Sequence, residues 1–253
     1  MPLKEINILG KHGKQFVPDL EMVELTPLFR GRPIIGTNIT EEEKNKVISL
    51  CPVNAINNSP FCIDMGKCLF CNECHFALPE KINFTNDYKI ATNDRSKLII
   101  QAGQDIPIKI NPDKIRKEIK SFFKHALKLR QVSAAGDNST EMELNAAGNV
   151  NFDMGRFGIE FVASPRHADG IVITGPISQN MAEPLQICYD AIPEPKLIIL
   201  AGTDAISSGI FAGSKALNRS FLDKYNIDLY VPGNPPHPLT FINGVLNLMK
   251  NKK

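Results

Sequence analysis

Three cysteines recur at every third residue, Cys68, Cys71 and Cys74, and a Cys-Pro pair, Cys51-Pro52, stands upstream of them. Thiolates are soft ligands, and a set of four can hold either a tetrahedral zinc ion or an iron-sulfur cubane. A tight Cys-x2-Cys-x2-Cys triplet completed by a remote Cys-Pro suits the cubane better. One 4Fe-4S cluster on Cys51, Cys68, Cys71 and Cys74 is therefore the expected cofactor. Cys62 lies off the repeat and Cys188 sits on an apolar helical stretch. Both read as small buried hydrophobes rather than ligands.

The spacing resembles that of two-cluster ferredoxins, in which each cysteine run gives its fourth ligand to the other cluster. In that pattern the run from Cys68 has its fourth position at Leu78, before Pro79. The run ending at Cys51 counts back to Val47, Lys44 and Glu41. One ligand set is then whole. The other, Glu41, Lys44, Val47 and Leu78, has lost every thiolate. The resemblance implies an α+β, ferredoxin-like domain over residues 1–115 with one 4Fe-4S site.

The elements that must position these residues set further bounds. A chain of 253 residues with 43% hydrophobic content can bury one large core or two modest ones. A net charge of +2, with no basic, aromatic-interleaved patch, argues against a nucleic-acid partner. No apolar run reaches the length of a membrane span. Met1 to Gly13 lacks the apolar core of a signal peptide. Six cysteines, four of them in a metal pattern, point to a reducing compartment rather than a disulfide scaffold.

Along the chain, Phe29-Arg30-Gly31-Arg32-Pro33 reads as a basic surface turn. Thr40 caps a predicted helix from Glu41 to Leu50, with three glutamates at its positive end. Phe61 to Asp64 reads as a strand feeding the cysteine loop. Tyr88 to Ile110 reads as a hairpin turning at Gly103-Gln104-Asp105, and Lys114 to Leu129 as a basic helix. A domain boundary is placed within residues 111–125. Beyond it the pattern changes to apolar strands alternating with helices. Strands are expected at Phe157–Ala163, Gly170–Pro176, Lys196–Gly202 and Ile227–Val231. Helices are expected at Met181–Ala191, with Pro184 in its first turn, and Pro238–Asn251. That alternation predicts an open parallel sheet of an α/β fold, with its ligands at the carboxyl ends of the strands.

Several ordered motifs carry a second resemblance. They are Arg156-Phe157-Gly158, Ser164-Pro165-Arg166-His167-Ala168-Asp169, Thr174-Gly175-Pro176, Pro193-Glu194-Pro195-Lys196 and Val231-Pro232-Gly233-Asn234-Pro235-Pro236. On these, residues 125–250 resemble the small electron-transfer subunit of group 4 energy-converting nickel-iron hydrogenases and formate hydrogenlyase. They also resemble the 20 kDa, B-type subunit of complex I. Residues 20–90, with Arg30-Gly31-Arg32, look like the two-cluster ferredoxin partner of the same complexes. The chain thus looks like a fusion of two subunits, with a flavodoxin-like domain over residues 125–253.

The resemblance implies a peripheral subunit, held on the cytoplasmic face of a membrane by a large subunit and its membrane subunits, with no span of its own. The family's second module holds a proximal 4Fe-4S cluster on four cysteines. This sequence places Asp137, Thr140, Asp204 and Asn234 there. Glu143 stands where the family keeps a glutamate, and Arg166 and His167 stand near the cluster and quinone end of relatives. Arg166 is expected to compensate the two aspartates.

Three functions follow from that pattern. The first is a structural or coupling subunit of an ion-translocating, complex I-like assembly, itself non-catalytic. The second is a working electron-transfer subunit of a formate hydrogenlyase or NADH/quinone oxidoreductase using another route. The third is an oxygen-ligand metal site at the four emptied positions.

Overall fold

The computed structural model describes residues 3–13, 16–123 and 125–249. In chain order its first half carries α1 (Leu3–His12), β1 (Pro33–Ile35), α2 (Glu41–Leu50), β2 (Ile56–Asn58), β3 (Phe61–Asp64), α3 (Glu73–Ala77), β4 (Ile82–Phe84), β5 (Ile99–Gln101) and α4 (Lys117–Phe122). The second half carries β6 (Leu127–Ser133), α5 (Ser139–Ala147), β7 (Ile159–Phe161), β8 (Gly170–Thr174), α6 (Gln179–Asp190), β9 (Leu197–Ala201), α7 (Thr203–Ser207), α8 (Ser220–Lys224), β10 (Leu229–Val231) and α9 (Pro238–Met249).

The second half is built on a five-stranded, all-parallel sheet in the order β10-β9-β8-β6-β7. Counted within the sheet this is the 2-1-3-4-5 order of flavodoxin-like folds, whose chain direction switches between the first and third strands. Here the switch lies between β6 and β8. The central strands are apolar on both faces because both are covered. Ile171, Ile173, Ile198 and Leu200 face one core, which α6 and α8 share with Ile35, Ile63, Met65, Ile82 and Leu98 of the first half. Val172, Ile199, Leu229 and Val231 face the other, against α9, α5 and α4. The first half therefore helps to cover both faces of the sheet: Leu20, Tyr88 and Ala91, with Ile115, Ile119 and Phe123 from residues 111–125, join the second core.

The first half has two small antiparallel sheets, β1-β4 and β2-β3-β5. Its helix α2 starts as its sequence dictates. The Thr40 hydroxyl accepts from the Glu43 N–H at 3.3 Å, and the Glu43 carboxylate accepts from the Thr40 N–H at 2.8 Å.

Other expectations are corrected. Tyr88 to Ile110 forms no hairpin: Asp94 caps a 3-10 turn at Arg95–Leu98, and only β5 follows, pairing with β3. The alternation there serves one short strand. The predicted helix to Leu129 shrinks to α4, because Leu127, Leu129 and Val132 are buried with Lys128 exposed between them, a strand pattern. The strand predicted over Phe157–Ala163 shortens to β7. Residues Met154–Phe157 form a 3-10 turn, and Gly158 at φ +77° brings its backbone so close that a Cβ would sit 2.1 Å from the His125 carbonyl oxygen. Helix α6 begins at Gln179, so Pro184 falls inside it rather than in its first turn. The Arg30-Gly31-Arg32 turn is not simply surface. Arg32 is buried and pairs with Asp105. Helix α9 is described to Met249, and its predicted end at Asn251 lies outside the described residues, as does Met1.

Candidate metal centre

The four cysteines of the motif line one cavity. Cys51 stands at the end of α2. Cys68, Cys71 and Cys74 lie on the loop between β3 and α3 and at the start of α3. Asp64, at the end of β3, anchors that loop. Its carbonyl accepts the Cys68 N–H at 2.9 Å, its carboxylate accepts the Gly66 N–H at 2.9 Å, and it pairs with Arg95 at 2.7 Å. Phe70 at φ +55° and Asn72 at φ +75° bend the loop back on itself. Val47, Ile56, Ile63 and Phe84 make the walls apolar.

Two sulfurs accept backbone N–H groups: Cys51 Sγ from Ala55 at 3.2 Å, and Cys68 Sγ from Phe70 at 3.3 Å. Burial pushes the Cys68 thiol up, and the neighbouring Cys74, Cys51 and Cys71 push it further. Burial, then Cys71, raises Cys74 to about 11. Four thiolates held this close in an apolar pocket repel one another unless a cation neutralises them. Among the described residues no group of three or more His, Cys, Asp or Glu side chains is drawn together to hold a metal ion. The cysteines ring the cavity instead. Four sulfurs, backbone donors to two of them and apolar walls fit an iron-sulfur cubane.

Glu41, Lys44, Val47 and Leu78 do not gather into a second site. Glu41 and Lys44 make a surface ion pair at 2.6 Å, and Lys44, then Asn58, lowers the Glu41 pKa. Val47 and Leu78 are packed in the core, Val47 against the cysteine cavity.

At the carboxyl edge of the parallel sheet, Asp137 follows β6, Thr140 lies in α5, Asp204 in α7 and Asn234 after β10. Three of the four approach one another. Asp204 is raised to about 6 by burial, then by the charges of Asp137 and Glu141. Thr140 Oγ1 lies 2.7 Å from where a Cβ on Gly202 would stand, two residues before Asp204. The Ser139 hydroxyl and N–H donate to Asp137 and lower its pKa. Asn234 is exposed and lines a neighbouring cavity with Glu143.

Arg166 and His167 sit on a turn before the amino end of β8, whereas the aspartates lie beyond the carboxyl ends of β6 and β9. The length of β8 separates them, roughly 13 Å at about 3.3 Å per residue. The groups that move Asp204 are both acidic, so Arg166 is not their counter-charge.

Sequence reasoning passed over the residues that order this edge. Buried Glu141 accepts from Thr174 Oγ1 at 2.5 Å, at the switch point. Thr203 Oγ1 donates to Cys68 O at 2.9 Å and lies 3.1 Å from Gly233 O. Arg219 donates to the carbonyls of Pro176, Asp204, Ala205 and Ile206. A threonine closing an apolar strand, Thr174, or following one after a glycine, Thr203, was the available signal.

Residues 138–248 match the family model described as NADH ubiquinone oxidoreductase, 20 kDa subunit. The chain is 33% identical over 115 residues to a probable membrane-bound hydrogenase subunit, mbhJ, of Pyrococcus furiosus, covering 46% of this chain and 69% of that protein. The chain belongs to the 20 kDa subunit family.

Another member, an NADH-quinone oxidoreductase subunit of Desulfovibrio desulfuricans, is 39% identical over 109 residues; the match covers 43% of this chain and 59% of that protein's length. A chain of the membrane-bound sulfane sulfur reductase, described as an archaeal respiratory membrane complex, aligns over 50% of this chain and 70% of its own length, with 29% identity and a TM-score of 0.44. Within the family match, the edge residues Thr140, Asp204 and Asn234, like Asp137 just before it, offer oxygen or amide groups and do not fit a cubane. No described helix is long and apolar enough to cross a membrane.

Proposed function

We propose that this chain is the iron-sulfur subunit of a membrane-associated assembly of the complex I and group 4 hydrogenase type. In this reading it fuses a ferredoxin-like domain, residues 1–115, to a 20 kDa-subunit domain, residues 125–253. The first carries one 4Fe-4S cluster. The second has given up its proximal cluster and keeps a structural or coupling role in an ion-translocating complex. The observation that carries this reading is the contrast between four cysteines around one apolar cavity and a set without a single thiol at the sheet edge.

Cys51, Cys68, Cys71 and Cys74 would hold the cluster, which supplies one-electron transfer when bound. The N–H groups of Ala55 and Phe70 stabilise thiolate at two of the ligands, and Val47, Ile56, Ile63 and Phe84 line the cavity with hydrocarbon around the buried Cys68, while Cys71 is exposed. Asn234 and Pro235 are exposed on the loop after β10, and Met142 and Ile210, each 64% exposed, lie on α5 and just beyond α7. Such surface suits burial against a large subunit, which with its membrane subunits would hold the chain on the cytoplasmic face.

Iron and acid-labile sulfide per chain, measured on anaerobically purified protein with EPR of the reduced form, test the reading. About four irons and one cubane signal are expected. About eight irons, or zinc at about one per chain without iron, would refute it.

A further inference from the structure

A cavity of about 240 Å³ opens between the two halves, beside the loop that follows β10. Phe29, Arg30 and Phe70 line it from the first half, and Glu143, His237 and Thr240 from the second. Thr240 is 1% exposed, yet its Oγ1 has no hydrogen-bond partner among the described residues. Buried hydroxyls in folded proteins are paired with protein, water or ligand, so an orphan at a cavity wall marks a contact still to be made.

Two other polar side chains at the wall, His237 and Arg30, can donate to the same space. His237 Nδ1 accepts the Leu239 N–H at 3.1 Å, which leaves the ring proton on Nε2. Phe29 and Phe152 hold that ring edge-on, with centroids 5.5 and 5.7 Å away. Arg30 spends Nε on the Phe70 carbonyl, which leaves its terminal N–H groups at the mouth. Glu143 is half-buried, and burial raises its carboxyl above the usual range. Three donors, on Thr240, His237 and Arg30, thus share a cavity with two phenyl rings. A cavity of about 150 Å³ already accepts benzene. The space here holds one ring plus a polar substituent.

We propose that this cavity binds a small monocyclic carboxylate, its ring against Phe29 and Phe70 and its carboxylate on Arg30, His237 and Thr240. The site is separate from the cysteine set, and its occupancy does not depend on the cluster reading.

Calorimetric titration of the full-length purified protein with benzoate tests it, with benzamide and acetate as controls. Saturable benzoate binding is expected, with benzamide and acetate each weaker by about tenfold, since a charge-assisted hydrogen bond or the ring contact is lost. Arg30→Gln and Thr240→Val should each weaken benzoate by about tenfold. Thr240→Ser keeps the hydroxyl and should bind like the parent, which separates a lost contact from a damaged fold. Absence of saturable benzoate binding, equal affinity for benzamide, or unchanged affinity in Thr240→Val would each overturn the proposal.

Discussion

The cysteine cavity and the carboxyl edge of the sheet are both clusters of ligand-type residues on short loops, but they are finished in opposite ways. In the cavity the polar atoms are sulfurs, the walls are hydrocarbon, and two sulfurs take backbone N–H groups. At the edge the polar atoms are oxygens bonded to one another, Glu141 with Thr174 and Asp137 with Ser139. A thiolate set in hydrocarbon is unstable without a bound cation. An oxygen set that bonds internally is stable without one. The Glu41, Lys44, Val47 and Leu78 positions show a third outcome, in which the outer pair forms a surface ion pair and the inner pair joins the core. A site on a helix face can close by packing. A site at strand ends cannot, because loop backbone groups there still need partners.

The sharpest way to break this comparison is to remove one sulfur. Cys71 is exposed, so Cys71→Ser costs no core packing, and any effect runs through the ligand set. Iron should fall from about four per chain to near zero, and the first half should melt earlier. Cys62 is buried in β3, with its sulfur 3.9 Å from Asn57 Nδ2. Cys62→Ser should leave iron unchanged. Iron retained in the first variant, or lost in the second, would dismantle the assignment of the four ligands.

The edge makes its own prediction through pH. Asp204, raised to about 6 in the folded protein, has an ordinary value of 3.8. Between those values the folded chain binds a proton the unfolded chain does not, so stability falls as pH rises from about 4 to about 6. A shift of about two units is worth about 3 kcal/mol in full, and of order 1–2 kcal/mol once solvent screening of a partly exposed group is allowed for. Asp204→Asn should flatten that decline and raise the melting temperature at about pH 8. A parent whose melting temperature is level across the acid range would remove Asp204 from the account.

Strands β8 and β9 were legible because Gly170–Thr174 and Leu197–Ala201 are nearly pure apolar runs, and only strands covered on both faces read that way; β6 reads in sequence as the end of a helix because Lys128, Arg130 and Gln131 break its apolar run. Helix α2 was legible to the residue because Thr40 and Glu43 form its cap in sequence-local space. Tyr88 to Ile110 was not, because its bonds are long-range: Thr92 bridges to Tyr230 and Asn93 bonds to Asn111. That Cys51, Cys68, Cys71 and Cys74 share one cavity was readable from spacing alone, since they fall on two short segments. At the sheet edge Thr174 was named only as part of a motif and Glu141 and Thr203 not at all, because the hydrogen bonds that order them join residues 33 apart or in the other half. The placement of Arg166 failed for a related reason. Chain order put it near the motifs, and strand direction put it at the opposite end of β8.

Thr203 joins the two regions by a side-chain hydrogen bond, and that contact gives the smallest and most selective test. Thr203 Oγ1 donates to the carbonyl of Cys68, a cluster-loop residue, while its own N–H donates to Gly233 O at 2.8 Å on the loop after β10. Valine at 203 keeps the shape and the backbone bond to Gly233, and removes the hydroxyl that donates to Cys68 O and also lies near Gly233 O. Loss of one buried hydrogen bond should cost about 1 kcal/mol, with the stranded carbonyl setting the upper range at about 3 kcal/mol. Iron should stay at about four per chain, because none of the ligands has changed. The EPR signal of the reduced protein should shift slightly, since the Cys68 backbone is free to move beside its sulfur. If stability drops with an unchanged spectrum, Thr203 only glues the halves together. If neither changes, the two regions are independent, and the second half does not report on the state of the first.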